Sequence, residues 1–149
     1  MADGGSLYGR PRARIGLAAP ATEEAAMSYM MLIIEEPGER ERPPEAERRE
    51  RYRTMREYAD SLQARGLLRA AESLALPGSE TVRVRGRGDS RAMIDGPFAE
   101  AKEIVGGFFY LDCETREEAL AIAAECPAVD WATVEVRRVA KCFEEQDEA

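Results

Sequence analysis

The sequence predicts an α+β domain, an antiparallel sheet with two helices on one of its faces. Three observations carry this. Two continuous apolar runs, residues 29–34 and 106–111, have the length of strands and no alternation, as strands covered on both faces do. Two stretches, residues 45–64 and 115–126, repeat apolar residues at helical spacing. Shorter alternating segments between and after them read as further strands.

In chain order, the run Tyr29-Met30-Met31-Leu32-Ile33-Ile34 is stopped by Glu35-Glu36-Pro37-Gly38. A charged linker follows, and Pro44 suits a helix first turn. Tyr52, Met55, Ala59 and Leu62 share one face of the first helix, Glu45–Arg49 and Glu47–Arg51 are i,i+4 pairs, and Gly66 closes it. The arginines at 48, 49 and 51 alternate with glutamates, which reads as a solvated face. Residues 67–76 form a strand that ends at Pro77-Gly78-Ser79, and residues 81–85 and 91–94 pair as a hairpin around Gly86-Arg87-Gly88-Asp89. Asp95-Gly96-Pro97-Phe98 breaks regular structure. Thr115 and Glu118 form a capping box for the second helix, whose inward residues are expected to be Ala119, Leu120, Ala123 and Ala124. Pro127 stops that helix, and residues 132–139 alternate as a last strand.

Two helices cover only one sheet face, which gives a ferredoxin-like arrangement. The apolar residues on the other face need a second cover. A second copy of the sheet supplies it, so the expected assembly is a homodimer, a dimeric α+β barrel with a cavity between its sheets.

The chain has 149 residues, enough for one domain with extensions. Residues 1–26 are expected to be a disordered N-terminal extension, 27–141 the domain and 142–149 an acidic tail. The net charge of −8 argues against nucleic acid and anionic membranes as partners, because both require a basic surface. No apolar stretch reaches bilayer length. Cys113, Cys126 and Cys142 are odd in number and widely spaced, which fits a reduced cytoplasm rather than a disulfide framework or a metal site. The sequence contains no histidine, which removes His-based triads and His-ligated zinc. No cofactor and no metal is expected.

Asp95-Gly96-Pro97-Phe98-Ala99-Glu100-Ala101-Lys102-Glu103, followed by Gly106-Gly107-Phe108, resembles the signature of the YCII-related family in its DGPF-motif branch. Tyr29-Met30-Met31-Leu32, Glu72 with Leu74, Val82-Arg83-Val84, residues 117–123, Pro127 and Val134-Glu135-Val136-Arg137 extend the resemblance over nearly all of the domain. It departs at Ala101, where the branch usually has Thr, and at Arg138, where it usually has Pro. The resemblance implies a ferredoxin-like fold assembled as a dimeric α+β barrel. By fold it relates the chain to small isomerases and dehydrochlorination-type enzymes, and a His/Asp pair has been proposed for the family. Asp95 could supply the aspartate, but the chain has no histidine. The branch is also associated with genes for alternative sigma factors.

Asp95 is either a base or ligand anchor at the mouth of the inter-sheet cavity, or an Asx-turn residue bonded to the amides of Phe98 or Ala99. Of Glu72 and Glu135, either one shares the cavity with Asp95 as a carboxylate cluster whose repulsion raises a pKa, or each pairs with Arg83, Arg137 or Lys102. These three acids are the candidate catalytic residues. Arg83, Lys102, Phe108 and Tyr110 are the candidate ligand-binding residues. Gly106-Gly107 is expected to allow a bulge or close strand approach. Two functions stand side by side. One is binding or transformation of a small organic acid by carboxylate chemistry. The other is a non-catalytic accessory role in sigma-factor-linked or stress regulation. The sequence leaves open whether the protein is an enzyme.

Overall fold

The computed structural model describes residues 27–78, 80–96 and 101–140. Expectations for residues 1–26, Ser79, the Pro97 to Glu100 part of the motif, Cys142 and the tail lie outside the described residues. Strand β1 (Ser28–Glu35) leads to helix α1 (Glu45–Ala64) and strand β2 (Leu68–Ser73). Strands β3 (Val82–Arg87) and β4 (Ser90–Asp95) precede β5 (Ile104–Asp112), helix α2 (Arg116–Ala124), a 3-10 turn (Pro127–Asp130) and β6 (Thr133–Arg138). The main sheet has the order β2-β5-β1-β6 with every pairing antiparallel, and β3 and β4 form a separate two-stranded sheet. This is the expected α+β architecture, consistent with a ferredoxin-like fold.

The helix ends show how local sequence sets the boundaries. At the end of α1, Gly66 adopts φ +70°. Its amide donates to Gln63 O at 3.0 Å and that of Leu67 to Leu62 O at 2.9 Å, a Schellman motif. At the start of α2, Thr115 Oγ1 accepts from the Glu118 amide at 3.1 Å. The return bond differs from the expected capping box, because Glu118 Oε2 accepts from the Glu114 amide, one residue before the cap.

The core lies between the helices and one sheet face. Tyr29, Met31 and Ile33 of β1 and Phe109 and Leu111 of β5 point into it, and Ala59 and Leu62 of α1 meet them. Tyr58 closes edge-to-face on Phe109, with ring centroids 5.5 Å apart, and donates its hydroxyl to Ile122 O at 2.6 Å. On α2 the expected inward set is corrected. Leu120 is 39% exposed and Ala124 is exposed, while Ala119, Ile122, Ala123 and, just past the helix, Cys126 face the core. Position 122 is three residues after 119 and four before 126, so the stripe runs one step later than the alanine pattern suggested.

The other face of the main sheet is half-buried along β1 and β5, at Met30, Leu32, Ile34, Phe108 and Tyr110. In register, Glu72, Phe108, Leu32 and Glu135 form one row across the four strands. No helix among the described residues is long and apolar enough to cross a membrane.

Candidate functional site

At the end of the sheet where β1 finishes, the chain turns through residues 36–44 into α1, leaving a gap between helix and sheet. The gap is a cavity of about 390 Å³, within the range of small-molecule sites. Ile33, Phe109 and Met55 give it an apolar floor, and Tyr52, Leu76 and Trp131 form its walls. Glu35, Arg40, Glu41, Arg48 and Arg51 bring charge of both signs to it.

Alternation along β1 puts Glu35 on the same face as Tyr29, Met31 and Ile33, so this carboxylate is carried to the core side and buried. Burying a carboxylate requires a partner. Arg40 is that partner. Its Nε lies 2.8 Å from Oε2 and donates to Oε1 at 3.1 Å. Oε2 receives no aligned hydrogen bond from it and is held by charge alone. The other two guanidinium nitrogens donate to Leu74 O and Gly106 O, each at 2.6 Å. One arginine therefore ties together the end of β1, the segment after β2 and the start of β5.

Gly106 makes room for this. A Cβ there would sit 2.4 Å from Glu35 Cδ and 2.6 Å from Arg40 Nη2. The β1–β5 register also shifts here, Ile33 pairing with Gly107 and Ile34 with Val105, so Gly106 is the extra residue of a bulge. The expected bulge and close approach are both present.

The remaining cations differ in how they are used. Arg51 pairs with Glu39 at 3.1 Å and Glu47 at 2.9 Å, and its Cζ stacks 4.9 Å from the centre of the Trp131 ring. Arg48 has no carboxylate within ion-pair distance among the described residues. It is an exposed arginine that lines a cavity shared by apolar side chains and by Glu35, Glu41 and Glu72. That arrangement suits an organic anion with an apolar body.

The candidate residues from the sequence are placed elsewhere, with one exception. Glu72 borders the cavity from the edge strand β2, although its pairing with Phe108 puts its side chain on the face away from the helices. Glu135 lies on β6, at the opposite edge of the same sheet row, about 14 Å away at three strand spacings. Asp95 ends β4 opposite Val82 in the separate hairpin. Within one chain these three carboxylates do not come together. Arg83 lies opposite Ile94 in the hairpin, and Lys102 is exposed before β5. Phe108 and Tyr110 lie on the sheet face away from the helices, where Arg69 stacks on the Tyr110 ring at 5.4 Å. Sequence reasoning missed Glu35, Arg40, Arg48 and Trp131. Two signals were available. Glu35 continues the buried parity of β1, and Arg48 has Pro44 and Tyr52 at i−4 and i+4, where Arg49 and Arg51 each have a glutamate at i−4.

Cys113 and Cys126 are free and buried, as small apolar residues would be. Burial pushes the Cys126 thiol up to about 11 and raises that of Cys113. It also holds the Tyr58 phenol neutral far above its usual range.

Fold and cavity together define a small α+β domain with a half-open pocket between its first helix and its sheet. The family model for the YCII-related domain matches residues 27–142. The chain belongs to the YCII-related domain family. None of the curated proteins searched matches it.

Proposed function

We propose that the protein binds a small organic acid in the cavity between α1 and the sheet, its carboxylate against Arg48 and its apolar part against Tyr52, Met55 and Trp131. The observation that carries this is Arg48, an exposed arginine lining the cavity beside Tyr52, Met55 and Trp131, with no carboxylate within ion-pair distance among the described residues. A guanidinium offers paired donors to a carboxylate, and the neighbouring apolar side chains take the ligand's apolar part. This reading keeps the expected ligand class and moves its site from between two sheets to the helix side of one. The Glu35–Arg40 pair belongs to the frame of the site, since all three arginine nitrogens are already used.

The protein works as a homodimer in this reading, because Met30, Leu32, Ile34, Phe108 and Tyr110 line a sheet face that neither α1 nor α2 covers. The Asp95-Gly96-Pro97-Phe98 motif supports membership of the DGPF branch. Free, buried Cys113 and Cys126 support a reduced, cytoplasmic setting.

Thermal shift with benzoate, phenylacetate and hexanoate, each beside its neutral amide, tests the ligand class. The acids raise Tm and the amides do not, as expected when binding stabilises only the folded state. Arg48→Gln abolishes the shift, and Arg49→Gln, on the solvated face, preserves it. If acids and amides behave alike, or none of them shifts Tm, the small-acid reading fails and the accessory role gains.

A further inference from the structure

We infer that the β3–β4 hairpin is an intermolecular arm that lies against a second copy of this chain. Every residue of both strands is exposed. Val82, Val84, Met93 and Ile94 are among them, with Met93 75% exposed. Val84 stands opposite Met93, and Val82 opposite Asp95, on one face of the ribbon. A two-stranded ribbon exposed along its whole length is marginal in water, and an apolar patch on both of its strands marks a contact surface.

Charge selects the occupant. The hairpin carries Arg83, Arg85, Arg87 and Arg91 against Asp89 and Asp95, so it is a basic arm on a chain of net charge −8. The surface that complements it is the chain's own acidic body. The open sheet face of a second copy offers apolar residues, Leu32 and Phe108, in a row bounded by Glu72 and Glu135. That row is near the end of the sheet from which the hairpin springs. Apolar side chains on the arm meet apolar residues in the row, and Arg91, which stands opposite Gly86 on the same face as Val84 and Met93, meets a flanking carboxylate. Two-fold symmetry makes the exchange reciprocal, each arm on the other body.

This inference rests on the homodimer reading and is separable from it. Sedimentation velocity of the full chain is compared with that of Val84→Asp/Met93→Asp, with circular dichroism and Trp131 fluorescence as checks of folding. The expected result is a wild-type dimer at micromolar concentration and a folded double variant whose dimer dissociation constant rises at least tenfold. A wild-type monomer overturns both the dimer and the arm. A wild-type dimer with an equally tight double variant overturns the arm alone. A photo-crosslinker at position 93, on an otherwise wild-type chain mixed from light and heavy isotopes, gives a second readout should the double variant misfold. Mixed-isotope crosslinks to peptides containing residues 30–34 or 106–112 support the arm. Crosslinks confined to one chain overturn it.

Discussion

Glu35 and Arg40 lock the end of the main sheet through a buried contact, with Arg40 Nε 2.8 Å from Glu35 Oε2 and only 7% of the glutamate side chain exposed. The same guanidinium satisfies the carbonyls of Leu74 and Gly106. Removing one member strands the other, so each loss should exceed what a surface ion pair contributes. Arg40→Ala is expected to destabilise by about 3 kcal/mol. Glu35→Leu/Arg40→Met should cost less than Arg40→Ala alone, because no charge is left buried. Urea denaturation of the three variants measures this, and a double variant that costs as much as Arg40→Ala contradicts it.

Gly106 is required by that same pair. Gly106→Ala places a methyl against Glu35 and is expected to cost about 2 kcal/mol, the scale of overpacking in a filled site. Trp131 is the only tryptophan of the chain and lines the cavity, so its emission reports the site. The variant should shift that emission. An unchanged spectrum and denaturation midpoint would mean that the pair simply moves aside.

Much of the fold was legible because burial and periodicity agree. β1 and β5 show it, with apolar residues on both faces, and so does α1, whose ion pairs form as spaced. α2 was misphased because alanines carry little directional information, and Ile122, the residue that fixes its rotation, stands alone. The site was hidden for a different reason. Glu35 and Arg40 read as the end of a strand and a charged linker. Only the bulge at Gly106, formed between strands distant in sequence, shows that they face each other. Asp95, Glu72 and Glu135 drew attention as acids in or beside strands, but strand order sends two to opposite edges and the third into the hairpin.

The thiol of Cys126 gives stability a pH dependence. Its folded pKa, about 11, lies above the ordinary thiol value of about 8.5. A group raised in this way contributes stability that is full below the unfolded pKa and is lost as pH rises through the folded one. The urea midpoint of the wild type should fall between about pH 8.5 and 11, and Cys126→Ala should flatten part of that fall. Equal slopes in both proteins would show that the thiol contributes nothing to the trend.

The Thr115 cap is a local test of how α2 is anchored. Thr115→Ala removes the hydroxyl that accepts the Glu118 amide and should cost about 1 kcal/mol. Thr115→Ser should restore most of it. Loss of the same size in both variants would place the contribution in the threonine methyl instead.

Whether an organic acid occupies the α1 cavity is decided most directly by calorimetric titration of benzoate and benzamide into the wild type and Arg48→Gln, with Trp131 emission followed in parallel. Occupancy of the cavity requires saturable binding of benzoate with a matching change in emission, none for benzamide, and at least a tenfold loss of affinity in Arg48→Gln. Equal affinity for acid and amide, or benzoate binding that leaves Trp131 unchanged and ignores Arg48, would contradict it.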